Sequence, residues 1–178
     1  MASAVIAAVG EDRPGLVNEL SGVMQDANLN IEDSRMTVLG GEFAVLMSVA
    51  GTEGDLADVE GRLATFCQDA GLVYLFRPTT ARSASPVVPY AVRVVAMDHP
   101  GIVRRIAGFF SARGINIKEL DTETEHAAHT GTPIFNLAMV VELPADSKLG
   151  ALRSEFESFC DDENLDGSLN AVASRQRP

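Results

Sequence analysis

At 178 residues the chain is long enough for one or two small domains, and 25 acidic against 14 basic side chains give it a net charge of −11. A nucleic-acid binder needs a basic face to displace counterions from phosphates; Lys118 and Lys148 are the only lysines, which argues against direct nucleic-acid contact. No basic segment precedes the first apolar run, and no apolar stretch nears the roughly 20 residues that span a bilayer, so a soluble, cytoplasmic protein without membrane contact is expected.

Val5 to Val9 is a short apolar run closed by Gly10 and reads as a buried strand. After Asp12-Arg13-Pro14-Gly15, the residues Leu16, Leu20, Val23, Met24 and Ala27 keep helical spacing, predicting an amphipathic helix that ends near Asn28. Asn30 to Leu39 reads as a strand, Gly40-Gly41 as a tight hairpin turn, and Phe43 to Ala50 as the partner strand. A second helix is expected from about Asp55 to Asp69, with Leu56, Val59, Leu63 and Phe66 inward. Gly71 stops it, and Leu72 to Phe76 forms a fourth strand. The order β-α-β-β-α-β is the ferredoxin-like arrangement: an α+β fold with a four-stranded antiparallel sheet and two helices on one face.

The chain then says the same thing again. Asp12-Arg13-Pro14-Gly15-Leu16-Val17 returns as Asp98-His99-Pro100-Gly101-Ile102-Val103, a shift of 98 − 12 = 86 positions. Leu29-Asn30-Ile31 returns as Ile115-Asn116-Ile117, and seven of the twenty positions in 12–31 are identical in 98–117. Such a period is too long for a solenoid repeat and fits a duplicated small domain. The expected division is 1–77, a Pro/Ser/Thr-rich linker 78–89, and 90–174. Strands of the second copy fall near 90–97, 115–124, 134–143 and 168–173, with helices near 101–113 and 147–162, and the tail after Arg175 frays. Phe43 matches Phe135, an offset of 92, so the second hairpin carries 92 − 86 = 6 extra residues around His126 and His129. Cys67 and Cys160 each follow a Phe on an apolar helix face and suggest buried packing rather than a disulfide.

Between a strand and a helix, the Asp of Asp-X-Pro-Gly can accept hydrogen bonds as an N-cap, Pro suits the first turn, and Gly lets another molecule approach closely. The free N–H groups near Leu16-Val17 and Ile102-Val103 then form a site for a carboxylate, with Asn30 and Asn116 expected to add amide contacts. The same residue types also suffice for a helix start that binds nothing. Gly22 and Gly108 sit mid-helix, where glycine costs about 1 kcal/mol relative to alanine; close packing on the sheet or the other copy is the expected compensation. His126 and His129 lack a third ligand and read as a polar loop more readily than a metal site. Asp161-Asp162-Glu163 reads as a solvated helix end. With no nucleophile–base pair and no Gly-rich phosphate loop, neither an enzyme nor a bound cofactor is expected.

The element order, the Asp-X-Pro-Gly-(Leu/Ile)-Val motif after the first strand and the (Leu/Ile)-Asn-Ile motif opening the second together resemble the ACT domain family over residues 3–77 and 88–173. Two such domains filling one chain resemble the glycine cleavage system transcriptional repressor group. The resemblance implies a regulatory protein that binds a small amino acid, glycine or serine foremost, often between two ACT domains whose sheets or helices lie side by side. It implies action through a partner regulatory protein of glycine and one-carbon metabolism, and it is consistent with a homodimer. Alternatives are a structural dimerisation module and a detached regulatory subunit of a metabolic enzyme. Carried over, the ligand-facing residues are Asp12, Arg13, Pro14, Gly15, Leu16 and Val17 with Asn30 and Ile31, and Asp98, His99, Pro100, Gly101, Ile102 and Val103 with Asn116 and Ile117. Because Arg13 corresponds to His99, the two sites are not expected to be equal.

Overall fold

The computed structural model describes residues 1–80, 86–127, 130–145 and 147–172. The chain divides into two units, residues 1–83 and 84–178. The first contains β1 (Ala2–Glu11), α1 (Leu16–Asp26), β2 (Asn30–Leu39), β3 (Glu42–Gly51), α2 (Glu53–Ala70) and β4 (Val73–Thr79). The second contains β5 (Val87–Met97), α3 (Ile102–Ser111), β6 (Asn116–His126), β7 (Pro133–Pro144), α4 (Leu149–Asp162) and β8 (Asp166–Ala171). Both sheets are antiparallel, in the orders β2-β3-β1-β4 and β6-β7-β5-β8. The expected α+β βαββαβ fold is present twice.

Strand alternation decides where each core lies. In β1 the even residues Ala4, Ile6 and Ala8 are buried, as are Phe43, Val45, Met47 and Val49 of β3, beneath Leu16, Leu20 and Met24 of α1 and Leu56, Val59 and Leu63 of α2. The second core repeats this plan with Val92 and Val94, Ile106 and Phe110, Leu152 and Phe156. Phe66, expected inward, is only half-buried, and the next residue, Cys67, completes the stripe. Both cysteines are free and buried, and burial pushes their thiols up, that of Cys160 to about 11.

Helix α2 starts at a capping box: the Thr52 hydroxyl accepts from the Asp55 backbone N–H at 3.1 Å, and the Asp55 carboxylate accepts from the Thr52 N–H at 2.8 Å. Gly71 ends it in a left-handed conformation, as its position predicts.

Several expectations change. β1, β3 and β4 run further than the apolar runs suggested, because antiparallel pairing carries polar residues such as Glu11 opposite Glu42 and Thr79 opposite Ser3 into the ladder. Strands therefore reach into both ends of 78–89: β4 takes Thr79 and β5 starts at Val87. Gly22 and Gly108 are not held by close packing; a Cβ at either would meet nothing within 4 Å among the described residues. His126 ends β6 opposite Pro133, while His129 and the tail beyond 172 lie outside the described residues.

Candidate functional site

Each Asp-X-Pro-Gly loop leaves one of the two inner strands of its sheet, β1 or β5, and enters a helix. Gly15 and Gly101 are the N-cap residues, both with φ of 98°. This left-handed conformation strains any residue with a Cβ, so the glycine is a backbone requirement before it is a means of approach. The first helical hydrogen bonds run from Glu19 N–H to the Gly15 carbonyl and from Arg105 N–H to the Gly101 carbonyl. The expected aspartate cap is absent: among the described residues no side chain caps α1 or α3, and Pro14 and Pro100 precede the N-cap instead of lying in the first turn. With glycine at the cap, the aspartate is three residues too early to reach the helical N–H groups. Its backbone ties the loop to the hairpin instead, with Asp12 N–H donating to the Gly41 carbonyl and Asp98 N–H to the Pro133 carbonyl, both at 3.0 Å.

In the first unit a hollow of about 660 Å³ is lined by Asp12 to Asn18 of the loop and first turn, with Ser21, Met36 and Phe43. Asn18, Ser21, Met36 and Phe43 escaped sequence reasoning, although the hairpin held the signal for the last two. Gly10 pairs with Phe43 and Val38 with Phe43 in turn, so the turn end of the β2–β3 hairpin necessarily lies beside the loop.

Asn30 and Asn116 do not join the loops of their own units. Asn30 pairs with Ala50, which pairs with Ser3, eight residues of β1 before Glu11. At about 3.4 Å per residue that is on the order of 27 Å from the loop. Asn116 is displaced in the same way, opposite Glu142, whose carboxylate accepts its side-chain amide at 3.0 Å. Asn116 and Ile117 line a separate hollow of about 430 Å³ with Ser111, Gly114 and Ile115. Ile31 and Ile117 are half-buried against their cores at that far end.

The loops also differ in charge. In the first, Arg13 donates to both oxygens of Glu19, at 2.7 and 2.6 Å. These hydrogen bonds hold the Glu19 carboxyl below the usual carboxylate range and raise the Arg13 guanidinium. In the second, both partners are replaced. His99 and Arg105 take those positions, with the Arg105 guanidinium 3.1 Å from His99 Nδ1. Arg105 Nε lies 2.7 Å from a Glu163 oxygen, an ion-pair distance without the alignment of a hydrogen bond. The acidic helix end thus acquires a role that composition did not suggest.

Comparison with known proteins places this geometry. ACT domain models match residues 3–76 and again residues 90–161. The chain belongs to the ACT domain family. It is 31% identical over 169 residues to the glycine cleavage system transcriptional repressor of Escherichia coli K12, covering 94% of this chain and 89% of that protein. A crystal structure of a protein provisionally assigned as a glycine cleavage system transcriptional repressor superposes with a TM-score of 0.76 at 29% identity, covering 97% and 98% of the two chains. A protein of unknown function from Galdieria sulphuraria gives a TM-score of 0.78 at 26% identity, covering 97% and 99%.

This is a tandem ACT protein of regulatory kind, related to a transcriptional repressor. Among the described residues no group of three or more His, Cys, Asp or Glu side chains gathers to hold a metal, and no helix is long and apolar enough to cross a membrane.

Proposed function

We propose that this protein is a cytoplasmic amino-acid sensor. It takes a small amino acid, glycine or serine foremost, at the Asp-X-Pro-Gly loops and acts through a partner regulatory protein of glycine and one-carbon metabolism. The observation that carries the reading is the open first turn of α1: a left-handed glycine starts the helix, no side chain caps it, and a hollow lies beside its N–H groups. A carboxylate fits such a helix start, and Asp12 is at hand for the ligand's ammonium group.

β2 and β6 are edge strands of their sheets. Antiparallel alignment of such an edge with that of a second ACT unit carries the Asn30 end of one unit toward the Asp12 end of the other. The asparagines thereby regain a role despite their distance from the loop within each unit. The charge of −11 and the kinship with a transcriptional repressor favour action through protein contact over nucleic-acid contact. The reading assigns no turnover to the protein.

The test is thermal unfolding of the full chain against each of the amino acids at millimolar concentration. A ligand at a hundred times its dissociation constant adds about 2.7 kcal/mol, several degrees of Tm for a chain of this size. Val17→Trp and Val103→Trp are expected to abolish the shift without the backbone strain that any change at Gly15 or Gly101 brings. No shift with any amino acid, or a shift that survives both tryptophans, contradicts the proposal.

A further inference from the structure

A helix start that offers its N–H groups to a carboxylate does not by itself tell an amino acid from any other carboxylic acid. What separates them is the ammonium group, so selection has to come from the charges around the hollow. Among the described residues Arg13 is the one cation lining it. Left free, a guanidinium there would hold any carboxylate as a two-point pair. It is not free. Its Nη1 donates to Glu19 Oε1 at 2.7 Å and its Nη2 to Oε2 at 2.6 Å, so the fork that would grip a ligand already grips a side chain of α1.

The pair stands over the helix start itself. Glu19 Oε1 lies 3.2 Å, and Arg13 Nη1 3.9 Å, from where a Cβ on Gly15 would be. With Arg13 matched by Glu19, the carboxylate of Asp12 on the wall of the hollow is left in excess. Glu11 and Glu42, opposite each other where β1 runs into the loop, deepen that negative field. The two partners of the ion pair are 44% and 40% exposed, and a pair so open to water contributes little to stability.

The second unit shows that the fold does not require the arrangement. Arg105 takes the place of Glu19, its Nη1 3.1 Å from where a Cβ on Gly101 would be, and Arg104 takes that of Asn18. These two arginines balance Asp98 and Glu163, so the same backbone carries no negative excess there.

We propose that Glu19 is a specificity-determining residue of the first loop: by occupying Arg13 and keeping the helix start negative, it admits zwitterionic α-amino acids and turns away hydroxy acids and simple carboxylates of the same size. The inference rests on the amino-acid reading of that loop. An amino acid sets its carboxylate on the amides and its ammonium group toward Asp12 and Glu19. A hydroxy acid brings the same carboxylate with nothing to offset the repulsion. Salt screens charges as exposed as these, so the discrimination is greatest at low ionic strength.

Backbone amide NMR of the full chain at low ionic strength tests it, with glycine against glycolate and serine against glycerate. Each pair exchanges only an ammonium group for a hydroxyl. Judged from residues 15–18 of the wild type, the better-bound amino acid is expected to bind about tenfold or more tighter than its hydroxy acid. Glu19→Gln releases Arg13 and removes a negative charge, and it narrows that ratio several-fold by admitting the hydroxy acid. Arg13→Gln leaves Glu19 in place and widens the ratio. A merely structural disturbance of the helix start would move both variants in the same direction. Equal affinity for amino acid and hydroxy acid in the wild type overturns the proposal and leaves the amino-acid reading standing. So does a ratio that Glu19→Gln does not change, or one that both variants narrow. If none of the four compounds shifts residues 15–18, the amino-acid reading of this loop fails, and the role of Glu19 with it.

Discussion

The second unit fills its core with Phe109, Phe110, Phe156 and Phe159, whose ring centres lie 5.0 to 6.2 Å apart, where the first unit has Val23, Met24, Leu63 and Phe66. The extra volume is offset on the neighbouring strand. Tyr74 stands opposite Ala8 in the first sheet, and the corresponding place opposite Val94 holds Gly167. A Cβ on Gly167 would collide with the Cys160 sulfur. One backbone therefore accepts two cores because gains and losses of volume compensate within a single cluster. The loops obey no such constraint. Free of packing, the Arg13–Glu19 pair of one unit becomes the His99–Arg105–Glu163 group of the other while the Asp, Pro and Gly stay fixed.

The largest test of this contrast is Phe156→Ala. It removes a ring packed between Phe109 and Phe110 and is expected to cost about 3–5 kcal/mol, melting the second unit first in calorimetry. Gly167→Ala overpacks the same spot and is expected to cost about 1–3 kcal/mol in urea unfolding, a penalty with no counterpart at Tyr74. Thr52→Ala breaks the capping box of α2 for about 1 kcal/mol; among the described residues α4 starts after Lys148 with no side-chain cap to compare with it.

The first unit is also expected to weaken in acid. Hydrogen bonds from Thr52 hold Asp55 below the usual carboxylate range, as those from Arg13 do for Glu19. A carboxyl whose pKa is lower folded than unfolded contributes fully above the unfolded value and loses that contribution as pH falls through the folded one. Unfolding of Thr52→Ala across the acid range should therefore show a flatter pH dependence than the wild type.

Much of the fold was legible because its signals are local. Asn30 to Leu39 is a strand with the bounds its residues predict, since Gly40-Gly41 punctuates one end and the helix stop the other. The site was legible in motif but not in space. Asn30 follows α1 in sequence, yet an eleven-residue helix is about 16 Å long and delivers it to the opposite end of the sheet from Gly15. The aspartate cap failed for a related reason. Side-chain preference at a helix start yields to a glycine whose φ of 98° only it adopts easily, and that angle is not written in residue type. The Arg105–Glu163 contact joins α3 to the end of α4 across 58 positions (163 − 105), beyond the reach of any local pattern.

The proposed recognition rests on backbone amides at these helix starts holding an amino acid's carboxylate. Backbone amide NMR of the full chain titrated with glycine and with serine tests it directly. Saturable shifts are expected at residues 15–18, at 101–104, or at both. Shifts absent with either amino acid, or confined to residues away from the two loops, would contradict it.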